Sequence, residues 1–575
     1  MEHDIKEKTK YSSSCEDGKS AIKQDMGTEV YWCGSCRVPI IRYLSDESPK
    51  RCACCGCEIR YLAKDLRPVF PEERLLIELI EGKPLKYLNS SVWACDSRYY
   101  IDGKSKNLSL EKIKKIDVKP IIQGLDKYKN ENTYSFFNAY LKKFIDINSE
   151  HLSLIKEEAF SFVRQQIENF PDCKLVISFS GGKDSTVVAD VVTRALSNPR
   201  IVHIFGDTTL EFPTTYTYIE RYRKNNPQTI VKSAKNKDRD FYSVCDEIGP
   251  PARMMRWCCT MFKTGPITRT LGSLFRDSRI LTFYGIRKNE SASRSKYERV
   301  ANGASVKIQK QTVAAPIFYW SDIELWLYML GESVDFNDAY RLGYDRVGCW
   351  CRPNNNVRSQ FLAKIYMPEQ AEHWRNYLIN FAKRIGKPDP EVYVDEGKWK
   401  ARQGGNGLAA AEDVKIRYTN CTAEDHAKIY KLNKPIDNSF YNLFVPFGKV
   451  SMDLGRKLLH EVIVLDLATN VPILSIQPFN QADYEYSVKI RTMNVADHEA
   501  LRRMVAYQVR KYNACRKCLK CESVCPFGAI AITSLGYKID ETKCKHCKKC
   551  VTAKYLDGGC LMDRFLKSKE EKYED

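Results

Sequence analysis

The sequence predicts a multidomain α/β protein whose largest domain is built on a parallel β-sheet, with small cysteine-rich modules towards both ends. One observation is the run KLVISFS, a glycine turn, the helix-like DSTVVADVVTRAL and the apolar RIVHIFGD, which reads strand, turn, helix, strand. A βαβ unit of that kind implies parallel strands. A second is the distribution of the 23 cysteines, which gather near the two ends in CxxC spacings. The third is length: 575 residues, at roughly 100–200 per domain, make several domains that each bury their own core.

Taken in order, residues 1–28 read as a polar disordered tail. Residues 29–67 carry Cys33-x2-Cys36, fifteen intervening residues and Cys52-x2-Cys55-Gly56. That is the spacing of a zinc ribbon, in which two knuckles present four thiolates tetrahedrally. Cys54-x2-Cys57 offers a second register, and Gly56 after Cys55 favours the first. Four thiolates leave no open coordination position, so the Zn²⁺ is expected to be structural, with rubredoxin-type iron as the alternative. Residues 68–150 contain PEERLLIELIEG, a helix begun by proline and ended by glycine, and an Asp102-Gly103 hairpin turn, with no chemistry attached. The α/β domain is expected over 151–400, opening on the helical HLSLIKEEAFSFVRQQIENF and continuing through TIVKSA, RILTFYGI and the closing helix SDIELWLYML. ARQGGNGLAAAED reads as a linker, 412–505 as an α+β region of unassigned role, and 506–565 as a last compact module.

No stretch approaches the ~18 uncharged apolar residues of a membrane span, and the first twenty residues lack the apolar core of a secretory leader. A cytoplasmic location is therefore expected, where cysteines serve as metal ligands more often than as disulfides. The formal net charge is +19, which thiolates bound to metal would lower by about six to eight.

The segment Ser180-Gly181-Gly182-Lys183-Asp184-Ser185-Thr186 lies where the first core strand hands over to a helix. Two glycines admit an anion to the backbone, the helix N-terminus offers free N–H groups, and Lys183 and Ser185 add charge and a hydroxyl. The plain alternative is a strand-to-helix turn using Gly-Gly for geometry and Ser or Asp as a cap. The Walker spacing GxxxxGK[ST] is absent. Ser180 to Ser185 resemble the SGGxDS signature of the PP-loop family, whose members cleave ATP to AMP and pyrophosphate or bind adenylated sulfur compounds. FGDTTLEFPTTYTYI (205–219), RWCCTMFKTGPI (256–267), YGIRKNESASR (284–294) and GCWCRP (348–353) resemble, in order, the signatures of the phosphoadenosine phosphosulfate (PAPS) reductase family. The resemblance covers about residues 150–355 and implies an adenine nucleotide, whether PAPS, adenylyl sulfate or ATP, at the C-terminal edge of the sheet, where open α/β sheets bind ligands.

Within that frame Asp207 is a candidate for ribose hydroxyls or a Mg²⁺, and Arg287 and Arg294, flanking Glu290-Ser291, suit sulfate or phosphate oxygens, with Lys263 as a further cation. Lys183, Cys258, Cys259 and Arg287 are the catalytic candidates. Cys258-Cys259 and Cys349-Trp350-Cys351 resemble the CC…CxxC set that holds a [4Fe-4S] cluster in iron–sulfur adenylyl-sulfate reductases, except that the second pair is CxC. A turn is needed to aim both of its thiols one way. A third cluster, a redox-active thiol pair and a zinc site all remain open. The ECG-type nucleophile motif of thioredoxin-dependent reductases is missing after residue 355.

Cys515-x2-Cys518-x2-Cys521-x3-Cys525-Pro526 follows the bacterial ferredoxin run. Cys544, Cys547 and Cys550 repeat it, with a nine-residue gap before Cys560. In the two-cluster ferredoxin fold that this resembles, the fourth cysteine of each run serves the other cluster. Cys515, Cys518, Cys521 and Cys560 would hold one [4Fe-4S], and Cys544, Cys547, Cys550 and Cys525 the other. The lysines and arginines around them suit an acidic electron-donor protein. The expected activity is reduction of PAPS or adenylyl sulfate to sulfite with electrons from these clusters. The alternative is an ATP pyrophosphatase serving sulfur insertion into tRNA or DNA, which would give the basic balance a nucleic-acid partner.

Overall fold

The structure, a computed structural model, describes residues 27–108, 113, 115–276, 278–290, 294–302, 311–405 and 407–567. The expected tail, up to residue 26, and Ser291 lie outside these.

The first module is an antiparallel sheet of β1 (Thr28–Cys33), β2 (Val38–Tyr43) and β3 (Arg60–Ala63) in the order β2-β1-β3. Its apolar side chains Val30, Trp32, Val38 and Ile41 are buried in one core with helix Ser135–Ile147 and the central sheet. The Asn148 side chain pins it there, accepting from Ile41 N and donating to Pro39 O. An antiparallel meander follows: β4 (Arg67–Pro68), β5 (Val92–Cys95), β6 (Arg98–Ile101) and β7 (Lys104–Asn107). Asp102 (φ 47°) and Gly103 (φ 75°) form the turn between β6 and β7, as the tight two-residue hairpin requires. Helix Pro71–Ile80 starts on its proline, where a missing N–H costs nothing.

The central sheet contains β8 (Lys174–Ser178), β9 (Val202–Asp207), β10 (Ile230–Lys235), β11 (Ile280–Phe283), β12 (Val300–Ala301) and β13 (Gln311–Ala314). Its order is β10-β9-β8-β11-β13-β12, parallel throughout except at the short edge strand β12. Strands proceed from β8 through β9 to β10 on one side and resume at β11 on the other. The carboxyl ends of β8 and β11 therefore flank the topological switch point, where ligands bind in such sheets. Val187, Val188, Val191 and Val192 of helix Lys183–Ala195 are wholly buried against this sheet.

Beyond the sheet, helices Val357–Tyr366 and Pro368–Arg384 lead to a second, antiparallel sheet. It comprises β14 (Tyr418–Asn420), β15 (Ala427–Leu432), β16 (Lys449–Ser451), β17 (Val462–Leu465), β18 (Pro472–Gln481) and β19 (Tyr484–Thr492), ordered β14-β15-β19-β18-β17-β16. Helix His498–Ala514, capped by the Asp497 carboxylate, runs across the boundary expected at 505/506. It joins the sheet and the last cysteine module, with its hairpin β20 (Ile530–Thr533) and β21 (Gly536–Ile539), into one hydrophobic core. No described helix is long and apolar enough to cross a membrane.

Candidate functional site

β8 ends at Ser178, and Ser180-Gly181-Gly182 turn the chain into helix Lys183–Ala195. Gly181 has φ 72°, a region that glycine enters without strain. The neighbouring strand β11 runs on into Tyr284-Gly285-Ile286-Arg287, and a Cβ on Gly285 would lie 2.6 Å from the Asp184 carbonyl carbon. Only glycine lets these two crossings touch. Ser185 Oγ accepts from Ser180 N at 3.1 Å and donates to Gly182 O at 2.9 Å, so the loop is cross-braced. Lys183 N donates to the Tyr340 hydroxyl at 2.9 Å, and Thr186 Oγ1 lies 2.9 Å from the Tyr218 hydroxyl.

The cations expected to face an anion are committed within the protein. Lys183 Nζ lies 3.2 Å from Asp322 Oδ1, 3.8 Å from Asp184 Oδ2 and 3.2 Å from the Asp345 carbonyl. Arg287 binds Asp184 through Nε at 2.5 Å and Asp322 through Nη2 at 2.8 Å, with Nη1 on Trp320 O. The reason is topological: the switch point brings the acidic start of helix Asp322–Gly331 against both cations, and buried charges are tolerated only when paired. Burial alone would push the Asp184 carboxyl up, but Arg287 and Lys183 hold it well below the usual carboxylate range. Burial likewise opposes the Lys183 charge, which Asp322 and Asp184 hold above its ordinary value. Asp207 closes the end of β9, where its carboxylate accepts from Thr209 N and the Tyr216 hydroxyl, each at 2.9 Å.

Cys258 lies in electrostatic reach of Cys259, Cys349 and Cys351, and Cys349 in reach of Cys259. Arg352 N donates to the Cys349 carbonyl, closing the turn that the CxC spacing needed. Cys258-Cys259 stand on one helical turn that widens into a π-helix over Thr260–Thr264, a distortion frequent at functional sites. The hydrogen bond from Cys258, with Arg256 Nη2 3.4 Å from its sulfur, draws the Cys259 thiol down to about 5. Burial pushes Cys349 up to about 12. Exposed Lys263 contributes positive potential to Cys259, Cys349 and Glu211. Arg294 pairs with Glu290, which also takes Arg346 at 3.1 Å. Burial and then Arg346 pull the Arg294 guanidinium down, and burial, Arg346 and Arg256 do the same to Arg352. A crowd of guanidiniums thus spans from the loop to the thiols.

At the N-terminal module the sulfurs of Cys33, Cys36, Cys52 and Cys55 all lie within 4.8 Å of one another. Cys33–Cys55 and Cys36–Cys52 are 3.5 and 3.8 Å apart. Tetrahedral thiolates at ~2.3 Å from zinc have edges of about 3.8 Å, close to these two separations, so the set fits Zn²⁺; Cys54 and Cys57 stay outside it. In the last module Cys518 interacts with Cys560, Cys521 and Cys515, while Cys544 interacts with Cys525 and Cys547, and Cys550 with Cys521, Cys525 and Cys544. Cys560 thus lies in reach of Cys515, Cys518 and Cys521, and Cys525 in reach of Cys544 and Cys550. A small cavity of ≈ 20 Å³ is lined by Cys525, Cys544, Cys547 and Cys550 together with Pro526, Ile530 and Ile539. Thiols converging on an apolar void suit a cluster.

The decisive comparison concerns the part of the chain that carries the loop and the thiol set. Residues 174–355 match the phosphoadenosine phosphosulfate reductase domain. An adenosine 5'-phosphosulfate reductase of Staphylococcus epidermidis is 26% identical over 211 residues, covering 36% of this chain and 78% of its own. An uncharacterized protein of Methanocaldococcus jannaschii is 29% identical over 292 residues, covering 51% of this chain and 59% of its own, and a second is 27% identical over 277 residues, covering 47% and 62%. The chain spans about three fifths of the length of those two relatives. Among solved structures, the phosphoadenylyl-sulfate reductase of Candida auris in its phosphate complex aligns with 36% of this chain and 96% of its own, at 17% identity and TM-score 0.28.

Several residues around the loop and the cysteines carry no signal in the sequence alone. Asp322, Tyr340 and Asp345 reach the loop from segments that carry no motif of their own. Arg256, Arg346 and Arg352 sit inside or beside the motif segments, and only their convergence reveals them. Lys511, buried on helix His498–Ala514, donates to Cys550 O at 2.5 Å and contributes positive potential to Cys521, Cys550 and Cys560. A lysine in a helix ordinarily reads as surface.

Proposed function

We propose that the protein is an iron–sulfur reductase of adenylated sulfur nucleotides. An adenine nucleotide binds at the SGGKDS loop, its sulfate or phosphate is taken by the guanidiniums between the loop and Cys259, and PAPS or adenylyl sulfate is reduced to sulfite. For adenylyl sulfate the balance is two electrons in, cleavage of the sulfur–oxygen bond to the phosphate, and AMP and sulfite out. The like-charge crowding of Arg256, Arg294, Arg346 and Arg352 is what a bound dianion would relieve. Cys259 is the candidate sulfur nucleophile or, with Cys258, Cys349 and Cys351, a ligand of a third cluster.

The observation that carries this reading is the packing of the C-terminal cysteine module against the helix that follows Cys258-Cys259. Arg269 of helix Gly265–Phe275 pairs with Glu522 at 2.9 Å, and Gly265 lies so near Leu519 that an added Cβ would stand 2.8 Å from it. Leu519 lies between Cys518 and Cys521. When bound, [4Fe-4S] clusters at Cys515, Cys518, Cys521, Cys560 and at Cys525, Cys544, Cys547, Cys550 would supply electrons one at a time. This chain's own residues support such a path: Lys511 offsets thiolate charge between the sets, and Lys545, Lys548 and Lys549 beside exposed Cys547 suit an acidic electron-donor protein. Zn²⁺ at Cys33, Cys36, Cys52 and Cys55 is assigned a structural role.

Chemically reduced, anaerobic protein mixed with radiolabelled adenylyl sulfate or PAPS is expected to release sulfite in a single turnover. Retention of the label on both nucleotides would overturn the assignment. A second reading, cleavage of ATP to AMP and pyrophosphate for sulfur insertion into tRNA or DNA, draws on the complete SGGKDS loop, which a reductase that splits no pyrophosphate does not need.

A further inference from the structure

The chain leaving the N-terminal cysteine module touches the nucleotide loop's surroundings at two points. Asp65, just beyond β3, accepts from Asp322 N at 2.8 Å through Oδ2 and from Ile323 N at 3.0 Å through Oδ1. Helix Asp322–Gly331 is already capped by Ser321 and Glu324 in a reciprocal box. Asp65 therefore satisfies the two remaining orphan donors of its first turn from another module, and a carboxylate is the favoured partner there. The residue whose backbone it fixes, Asp322, is the one whose side chain holds Lys183 and Arg287. The second point is Arg67. Its Nε binds Asp345 Oδ1 at 2.7 Å, while Nη1 and Nη2 grip the fully buried Glu73 at 2.6 and 2.8 Å. Asp345 is the residue whose carbonyl takes Lys183 Nζ, and the same turn carries Tyr340, which accepts from Lys183 N. A third contact braces the arrangement: His151 Nε2 lies 2.7 Å from Glu324 Oε1, and its ring packs at a tilt against Tyr43 of β2, at 4.9 Å between ring centroids.

We propose that Asp65 and Arg67 are positioning residues for the nucleotide loop, holding the Lys183 ammonium from two sides through Asp322 and Asp345. Neither touches the loop itself. The segment that leaves the N-terminal module thus completes a site whose motif lies more than a hundred residues further along the chain. This inference rests on the reading of SGGKDS as the nucleotide site. It adds that the affinity of that site is set partly by residues outside the domain that carries it.

The test is a double-mutant cycle on the full-length, metal-replete protein, with AMP as the probe and its affinity measured by calorimetry. A charged hydrogen bond is worth enough that Lys183→Ala should weaken AMP by about tenfold or more. Asp65→Ala and Arg67→Ala should each weaken it by about fivefold to tenfold. In a Lys183→Ala background neither should cost anything further, because both act through that ammonium. Asp65→Asn, which keeps one acceptor oxygen, should fall between wild type and Asp65→Ala. Metal content and the thermal midpoint of each variant guard against misfolding, and a variant that fails them is replaced by Asp65→Asn or Arg67→Lys. If Lys183→Ala binds AMP like wild type, the loop reading itself fails. If Lys183→Ala weakens binding while the Asp65 and Arg67 variants bind normally, or if their losses simply add to that of Lys183→Ala, the positioning proposal is overturned.

Discussion

Replacing Arg287 with methionine keeps an unbranched apolar stem while deleting the guanidinium and its charge. In the structure that guanidinium is 4% exposed and lies between Asp184 and Asp322, and Lys183 is the other described cation that pairs with both carboxylates. Its loss leaves two buried carboxylates facing a single ammonium. Removing one partner of a buried ion pair costs about 3–5 kcal/mol. In a domain of 150–250 residues each kcal/mol lowers the midpoint by ~2–4 °C, so even the lower figure predicts a fall of roughly 6–12 °C. The pH dependence has a definite sign. Because Asp184 is held below its ordinary range, its contribution in the wild type is complete above that range and is lost only as pH falls through the depressed value. In Arg287→Met the carboxyl rises, so the deficit should be greatest near neutrality and shrink as pH falls towards the carboxylate range and protonation removes the uncompensated charge. The assay is anaerobic thermal unfolding across pH, followed by near-ultraviolet circular dichroism. A midpoint unchanged within ~2 °C at neutral pH would show that Arg287 is not bound into the ion cluster, and the description of the loop's electrostatics would be wrong.

Gly285→Ala should loosen the contact between the segment after β11 and the first turn of helix Lys183–Ala195, since its Cβ would meet the Asp184 backbone at 2.6 Å; overpacking of this kind costs about 1–3 kcal/mol, read as a lower midpoint and weaker nucleotide binding by calorimetry. Lys183→Ala should abolish nucleotide turnover while the iron content of the C-terminal module stays at the wild-type level, and equal turnover would contradict the loop assignment. Cys52→Ser, which breaks the one described group of four sulfurs close enough for a single ion, should lose its metal by elemental analysis; full retention would move the site elsewhere. Cys544→Ser should remove one set of cluster signals by electron paramagnetic resonance and slow turnover driven by a protein donor, and an unchanged spectrum would contradict the C-terminal assignment.

How much of this was legible in the sequence depends on how local the signal is. The βαβ unit announced itself because a buried parallel strand reads as an unbroken apolar run and the turn after it carries paired glycines. Asp102-Gly103 marked its hairpin because that turn needs two residues with positive φ. The CxxC runs were legible because ligand geometry fixes spacing. The partners of Lys183 were not. Asp65, Asp322 and Asp345 come from three distant segments, and each alone is an ordinary acidic residue until the fold brings it to the switch point. The sheet of β14 to β19 was blurred for another reason: β18 and β19 are buried on much of both faces, which erases the alternation that identifies a half-exposed strand. The boundary expected at 505/506 failed to anticipate a helix that serves the sheet before it and the cysteine module after it with one continuous apolar face.

The central claim, that an adenylated sulfur nucleotide is reduced at the SGGKDS loop, is tested most directly by competition. Anaerobic, reduced protein given equimolar ATP, adenylyl sulfate and PAPS should consume a sulfated nucleotide and release sulfite, with ATP left intact on chromatography. Conversion of ATP to AMP and pyrophosphate, with both sulfated nucleotides untouched, would contradict it.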